Sequence, residues 1–250
     1  NKNNSFFCYL SFNAPHTPLQ VPEKYYNLYK DLDPELGFKG ESLALKMSKK
    51  DKEDARRIYG MVTNIDDNVG KVLNKLTELG IEEDTIIIFM TDNGPQQFRY
   101  NSNMKGLKGT VYNGGTRVPF YIKYAGKFKN SKVINRMSAH IDVLPTILEL
   151  CNLNVPNDRK IDGQSLVPLI NSKTFNDRYL FSYWTRRFPE KYINMSIQND
   201  NYKLVGNNDF DSKIEEFELY DLVEHPNENN NTINQNIEIA KSFKIEMDNS

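Results

Sequence analysis

The most constraining feature of this chain is a long amphipathic run that feeds directly into a short, wholly apolar one. From Lys52 to Leu79, apolar side chains recur at Ile58, Met61, Val62, Ile65, Val69, Val72, Leu73, Leu76 and Leu79. That spacing of three and four puts them on one face of a helix. Gly80 follows as a C-terminal stop. The next run, Thr85-Ile86-Ile87-Ile88-Phe89-Met90-Thr91, is β-branched and apolar without alternation, the pattern of a strand covered on both faces. Helix followed by buried strand is the alternation of an α/β fold.

Other segments fit this frame. Ser5 to Phe12 is short, aromatic and nearly continuously apolar, and Asn13-Ala14-Pro15 stops it; it reads as a second buried strand. A chain opening on such a strand lacks its neighbours, so an N-terminal half is expected upstream. Residues Pro18 to Lys50 are polar and contain Pro22, Pro34, Gly37 and Gly40, which predicts a surface excursion with little regular structure. Val118 to Tyr124 is a third strand, with Pro119 pushing it toward a sheet edge or a strand start. Asp142 is placed to cap a helix through Val143, Ile147, Leu148 and Leu150.

After about Ser172 the character changes. Tyr179–Tyr183, Tyr192–Gln198, Tyr202–Val205 and Glu218–Leu222 are short runs between polar turns, as in an antiparallel sheet. Ile237, Ala240, Phe243 and Met247 then mark one terminal helix. The expected fold is α/β: a mixed, largely parallel sheet sandwiched by helices, with a small C-terminal antiparallel sheet plus helix. The expected division is residues 1–172 and 173–250.

Composition excludes several classes. A formal net charge of -1 argues against a nucleic-acid binder working by phosphate neutralisation. No apolar stretch is long enough to span a bilayer. The two cysteines, Cys8 and Cys151, lie in apolar contexts and read as buried free thiols.

In open α/β sheets, ligands bind beyond the carboxyl ends of strands. Two segments fall there: Pro15-His16-Thr17-Pro18 after the first strand, and Asp92-Asn93-Gly94 after the Thr85–Thr91 strand. Asp92 and Asn93 offer a carboxylate and an amide oxygen, hard ligands suited to Ca²⁺ or Mg²⁺, but Ca²⁺ takes about 6–8 oxygens, so the pair is at best half a site. Asp-Asn-Gly is equally an ordinary turn, and Lys108 taken alone is equally a solvated charge. His140 reads as structural and His225 as a surface turn residue. Arg99, Tyr100 and Lys105 lie in a loop where substrate selection could occur. Asp66 and Asp67 read as helix-surface groups or as partners in a packing hydrogen bond.

Taken in order, the segments resemble the formylglycine-dependent sulfatases of the alkaline phosphatase superfamily. The matching stretches are Phe7-Cys8-Tyr9-Leu10-Ser11-Phe12-Asn13-Ala14-Pro15-His16-Thr17-Pro18, the helix around Tyr59 to Gly70, Thr85 to Gly94, Met104 to Pro119, Asp142 to Ile147, Asp162 to Leu166, Tyr202 to Leu204 and Glu218 to Leu222. The resemblance covers nearly the whole chain and implies an alkaline-phosphatase-like fold. It implies Asp92 and Asn93 as Ca²⁺ ligands, Lys108 as a contact to a sulfate oxygen, and His16 as a sulfate partner able to protonate the leaving alcohol. The activity implied is release of inorganic sulfate from a sulfated sugar or aryl sulfate, in a periplasmic, secreted or lysosomal protein. The departure lies in the nucleophile: no Cys/Ser-x-Pro-x-Arg motif, the source of formylglycine, occurs in these residues. It and the other metal carboxylates are expected in the N-terminal half, and the chain alone is expected to be inactive. Two other readings stay open: a phosphate or phosphonate ester hydrolase of the same superfamily, and a noncatalytic module that binds sulfated glycans.

Overall fold

The computed structural model describes residues 4–38, 47–129, 131–207 and 209–250. The chain divides into two compact units, Asn1–Gly109 with Asn113–Lys129, and Thr110–Tyr112 with Asn130–Ser250.

The first unit is built around α2, Lys49–Glu78, the long helix the periodicity predicts. It starts where local chemistry permits. The Ser48 side chain accepts a hydrogen bond from the Asp51 amide, and the Asp51 carboxylate accepts one from the Ser48 amide, a reciprocal capping box. It stops at Gly80 (φ +66°), where the Gly80 amide donates to Thr77 O at 3.0 Å and the Ile81 amide to Leu76 O at 3.1 Å. This pair of bonds is the Schellman arrangement, and it satisfies two carbonyls that the helix leaves open. Of the apolar stripe, Ala55, Ile58 and Met61 are buried, whereas the face is only partly covered beyond Met61. The polar stretch before α2 is more ordered than expected: α1 (Glu23–Tyr26) and a 3₁₀ turn (Pro34–Phe38) pack along α2. The Tyr25 hydroxyl donates to Asp67 Oδ2 at 2.8 Å, so Asp67 serves as a packing partner.

β1 (Ile87–Met90) and β2 (Phe120–Lys123) form an antiparallel pair, with Ile87 opposite Lys123 and Met90 opposite Phe120. Pro119 immediately precedes β2, where its missing N–H costs no ladder bond. β1 is half-covered rather than buried. The segment Ser5–Phe12, expected as a buried strand, is neither: it joins no ladder among the described residues, and Phe7 and Tyr9 are 81% and 77% exposed. An apolar run supplies strand propensity but not the neighbour that completes its hydrogen bonds. Cys8 lies in this segment and is exposed, as is Cys151; the expectation of buried thiols fails for both.

The second unit contains the antiparallel sheet read from the sequence. Strands β3 (Leu180–Tyr183), β4 (Met195–Gln198), β5 (Tyr202–Gly206) and β6 (Glu218–Asp221) follow one another as a meander. The terminal helix, Ile237–Asn249, buries Ala240, Phe243 and Met247 against Ile197, Leu204 and Leu219 of the sheet. Lys203 and Glu228, both fully buried, form an ion pair at 2.8 Å.

The helices Val143–Leu150 and Val167–Ile170 belong to this same unit, tied to it through Asp142. That residue is not the expected N-cap acceptor. Its carboxylate is fully buried and accepts from the backbone amides of Ala139 (2.7 Å) and Gln164 (2.9 Å), and from both terminal nitrogens of Arg178. A buried carboxylate needs its lone pairs filled, and here a loop, a neighbouring turn and the start of the sheet all supply donors.

Candidate active site

The turn Asp92-Asn93-Gly94-Pro95 begins two residues beyond the end of β1. Three backbone hydrogen bonds knit the loops around it. The Gly94 amide donates to Gly115 O at 2.9 Å, the Lys108 amide to Pro95 O at 2.8 Å, and the Gly114 amide to Lys105 O at 2.7 Å. Such close backbone approach needs residues without side chains: a Cβ on Gly94 would lie 1.8 Å from Gly114 O, and one on Gly114 would lie 2.1 Å from Gly106 O. The glycines that make this segment look like an ordinary loop therefore lock Lys108 beside the Asp-Asn-Gly turn.

The side chains there are left available. The Asn93 amide nitrogen donates to Gly94 O at 2.9 Å, and among the described residues its Oδ1 accepts no hydrogen bond. Asp92 is exposed, and its carboxylate has no protein partner among the described residues. Lys108 is half-buried, and its ammonium likewise forms no hydrogen bond or ion pair to protein among the described residues. A carboxylate, an amide oxygen and an ammonium are thus carried on interlocked loops.

His16 sits in a separate turn, where its amide donates to Asn13 O at 3.0 Å and cis peptides precede Pro15 and Pro18. Its Nδ1 lies 2.8 Å from Thr17 O. A carbonyl can only accept, so Nδ1 carries the proton in the neutral ring and Nε2 is the nitrogen left for a ligand. The structure thus interlocks the Asp92, Asn93 and Lys108 loops, while His16 is held by local bonds of its own.

The donor chemistry at Asp92 and Asn93 suits a hard divalent cation. Among the described residues, however, no three His, Cys, Asp or Glu side chains converge on a point that could hold a metal ion. The pair fits as part of a Ca²⁺ site and cannot be all of one. His140 is exposed at the start of the 3₁₀ turn His140–Asp142, and the His225 amide caps a turn on Asp221 O at 3.0 Å. Of the loop residues considered for substrate selection, Arg99 packs toward α2 and lines a pocket with Tyr29 and Tyr59, two residues to which the linear sequence gave no pointer.

Comparison with known families decides the relationship. The family description "Sulfatase" matches residues 1–153, and "N-sulphoglucosamine sulphohydrolase, C-terminal" matches residues 107–249. The chain belongs to the sulfatase family. Among its relatives, an arylsulfatase of Clostridium perfringens is 30% identical over 92% of this chain and 49% of its own length. The sulfatase chain thus spans about half the length of the curated relatives it matches. Among solved structures, Ps i-CgsB in complex with k-i-k-neocarrahexaose superposes with a TM-score of 0.80 at 23% identity, over 100% of this chain and 50% of that one. The phosphonate monoester hydrolase of Agrobacterium radiobacter superposes with a TM-score of 0.65 at 20% identity, over 94% of this chain and 55% of that one. The fold is therefore the alkaline-phosphatase-like α/β fold of the sulfatases. No helix among the described residues is long and apolar enough to cross a membrane.

Proposed function

We propose that the protein carrying this chain hydrolyses sulfate esters of sugars, releasing inorganic sulfate outside the cytoplasm. The observation that carries the reading is the glycine-dependent interlock of the Asp92-Asn93-Gly94 turn with the Lys108 loop, which carry a carboxylate, an amide oxygen and an ammonium without protein partners among the described residues. Relatives named for sulfate-ester cleavage, such as the N-acetylglucosamine-6-O-sulfatase of Bacteroides thetaiotaomicron, support the substrate class.

A sulfate ester carries one negative charge, and more develops on the bridging oxygen as the S–O bond breaks. The Lys108 ammonium is suited to a non-bridging sulfate oxygen, where a fixed charge stabilises the transition state more than the ground state. In the doubly protonated ring, with Nδ1–H held on Thr17 O, His16 donates its Nε2 proton to the departing alcohol oxygen. Asp92 and Asn93 would hold Ca²⁺ together with carboxylates from outside these residues; when bound, the ion supplies Lewis-acid polarisation of the sulfate. The formylglycine nucleophile likewise comes from outside these 250 residues.

A phosphate- or phosphonate-ester reading uses the same geometry, so the test compares the two esters. The full-length protein, co-expressed with a formylglycine-generating enzyme, is assayed on p-nitrophenyl sulfate and p-nitrophenyl phosphate. The expected result is sulfate preference, with kcat/KM reduced on the order of 100-fold by Lys108→Met and by His16→Ala. Phosphate preference would overturn the sulfatase reading. Binding of sulfated glycans without turnover of any ester would replace it with the noncatalytic one.

A further inference from the structure

Between the loop that follows the Asp-Asn-Gly turn and α2 lies an open pocket of about 310 Å³, lined by Tyr29, Ile58, Tyr59, Val62, Thr63 and Arg99. Its volume is at the lower end of the range for small-molecule sites, about 300–1,000 Å³. The polar groups of its wall divide into two sets. Tyr29 and Thr63 satisfy each other: their hydroxyl oxygens are 2.7 Å apart, and the Thr63 hydroxyl donates onward to Tyr59 O at 3.1 Å. The other set has no acceptor. The Arg99 guanidinium makes no hydrogen bond or ion pair to protein among the described residues, and its Nη1 is out of contact with solvent and unbonded. The Tyr59 hydroxyl also has no protein partner among the described residues, while its ring is edge-to-face on Tyr29 with centroids 5.8 Å apart.

A buried cation without a counter-ion is costly, and the lining contains no carboxylate. Burial pulls the Arg99 guanidinium below its ordinary range and pushes the Tyr59 phenol up. The guanidinium nevertheless stays charged and the phenol stays a donor at neutral pH. Arg99, with a planar cationic fork, and Tyr59 both line this pocket without a protein partner among the described residues, and the rest of its wall is Ile58, Val62 and the self-satisfied Tyr29–Thr63 pair. That combination matches an oxyanion carried on a small ring: the fork takes the anion, and the Tyr rings and Val62 take the ring face.

We propose that this pocket is an anion subsite that binds a carboxylate or sulfate group on a single sugar-sized unit through Arg99 and Tyr59. None of Asp92, Asn93 and Lys108 lines it, and the proposal stands whether or not the protein cleaves sulfate esters. In a sulfatase it would select substrates bearing a second anionic group.

The test titrates sodium glucuronate, inorganic sulfate and neutral glucose into the full-length protein by calorimetry. Wild type is compared with Arg99→Met, Arg99→Lys, Tyr59→Phe and Lys108→Met. In parallel, the Arg99 Nε–H resonance is followed in arginine-labelled wild type, a readout that survives any failure of a variant to fold. Glucuronate is expected to bind with an affinity weakened tenfold or more in Arg99→Met, partly restored in Arg99→Lys, weakened less in Tyr59→Phe and unchanged in Lys108→Met. The Arg99 resonance should move with glucuronate and with sulfate but not with glucose. Binding lost only in Lys108→Met would leave the catalytic reading intact and overturn this one. Equal affinity in Arg99→Met, an Arg99 resonance that no anion shifts, or no binding of either anion would each overturn it as well.

Discussion

Gly94 shows how much a missing side chain can decide. A single added Cβ would sit 1.8 Å from a backbone oxygen, Gly114 O, and a backbone atom cannot swing aside as a side-chain end can. Gly94→Ala is therefore expected to pry the Asp92 turn from the Lys108 loop. It should cost about 2 kcal/mol or more in stability, and ester turnover should fall further than the loss of folded protein explains. Paired thermal unfolding and kcat/KM measurements check this. Arg178 is the converse case, where a side chain cannot be spared. Arg178→Met would leave the fully buried Asp142 carboxylate facing two backbone amides but no cation, at an expected cost of about 3–5 kcal/mol, read from denaturant midpoints. Asp142 also shows where residue-level reading stopped: its position before a helix was legible, but its partner lies 36 residues away, which no local pattern encodes.

Among elements, the terminal helix Ile237–Asn249 was the most legible, because its apolar spacing alone names the buried face, and Ala240, Phe243 and Met247 are the residues the sheet covers. Phe243→Ala should destabilise the second unit by about 3–5 kcal/mol. Ile245→Ala, on the same helix but 60% exposed, should stay within about 0.5 kcal/mol; equal effects would show that the helix does not dock as described. The end of α2 was legible for a comparable reason. Gly80 adopts φ +66°, so Gly80→Ala is expected to cost about 1 kcal/mol in the stability of the first unit. The segment Ser5–Phe12 carries strand propensity, which is local, but pairing is not, and no neighbour among the described residues completes its hydrogen bonds.

At the scale of the whole molecule, one contribution to acid stability comes from Asp248 in the terminal helix. Burial alone would raise Asp248, but hydrogen bonds from Tyr192, Lys191 and Lys244 outweigh it and hold the carboxyl at about 2, below its ordinary 3.8. A depressed carboxylate contributes stability above its unfolded pKa and loses it as pH falls through the folded one. The Asp248 contribution should thus be full above pH 3.8 and disappear by about pH 2. Because the group is partly solvated, about 1 kcal/mol is expected. Asp248→Asn should lower stability at pH 6 by that amount and leave it unchanged at pH 2, as measured by urea unfolding. The exposed aromatic run gives a second whole-molecule outcome. The 250-residue chain made by itself should bind a hydrophobic dye and self-associate, and Phe7→Ser with Tyr9→Ser should reduce both.

The sequence by itself determined what depends on neighbours along the chain: the long helix with its Gly80 stop, the antiparallel meander, the face of the terminal helix, and the Asp92-Asn93-Gly94 turn following a strand. Each rests on periodicity, capping or turn chemistry, which act over a few residues. Only the tertiary structure decided that the Lys108 loop locks onto that turn, that Asp142 is held by Arg178, that Cys8 and Cys151 are exposed, and that Arg99 and Tyr59 line one pocket. Those outcomes depend on groups far apart in sequence, whose hydrogen bonds and burial are set only when separate segments pack together.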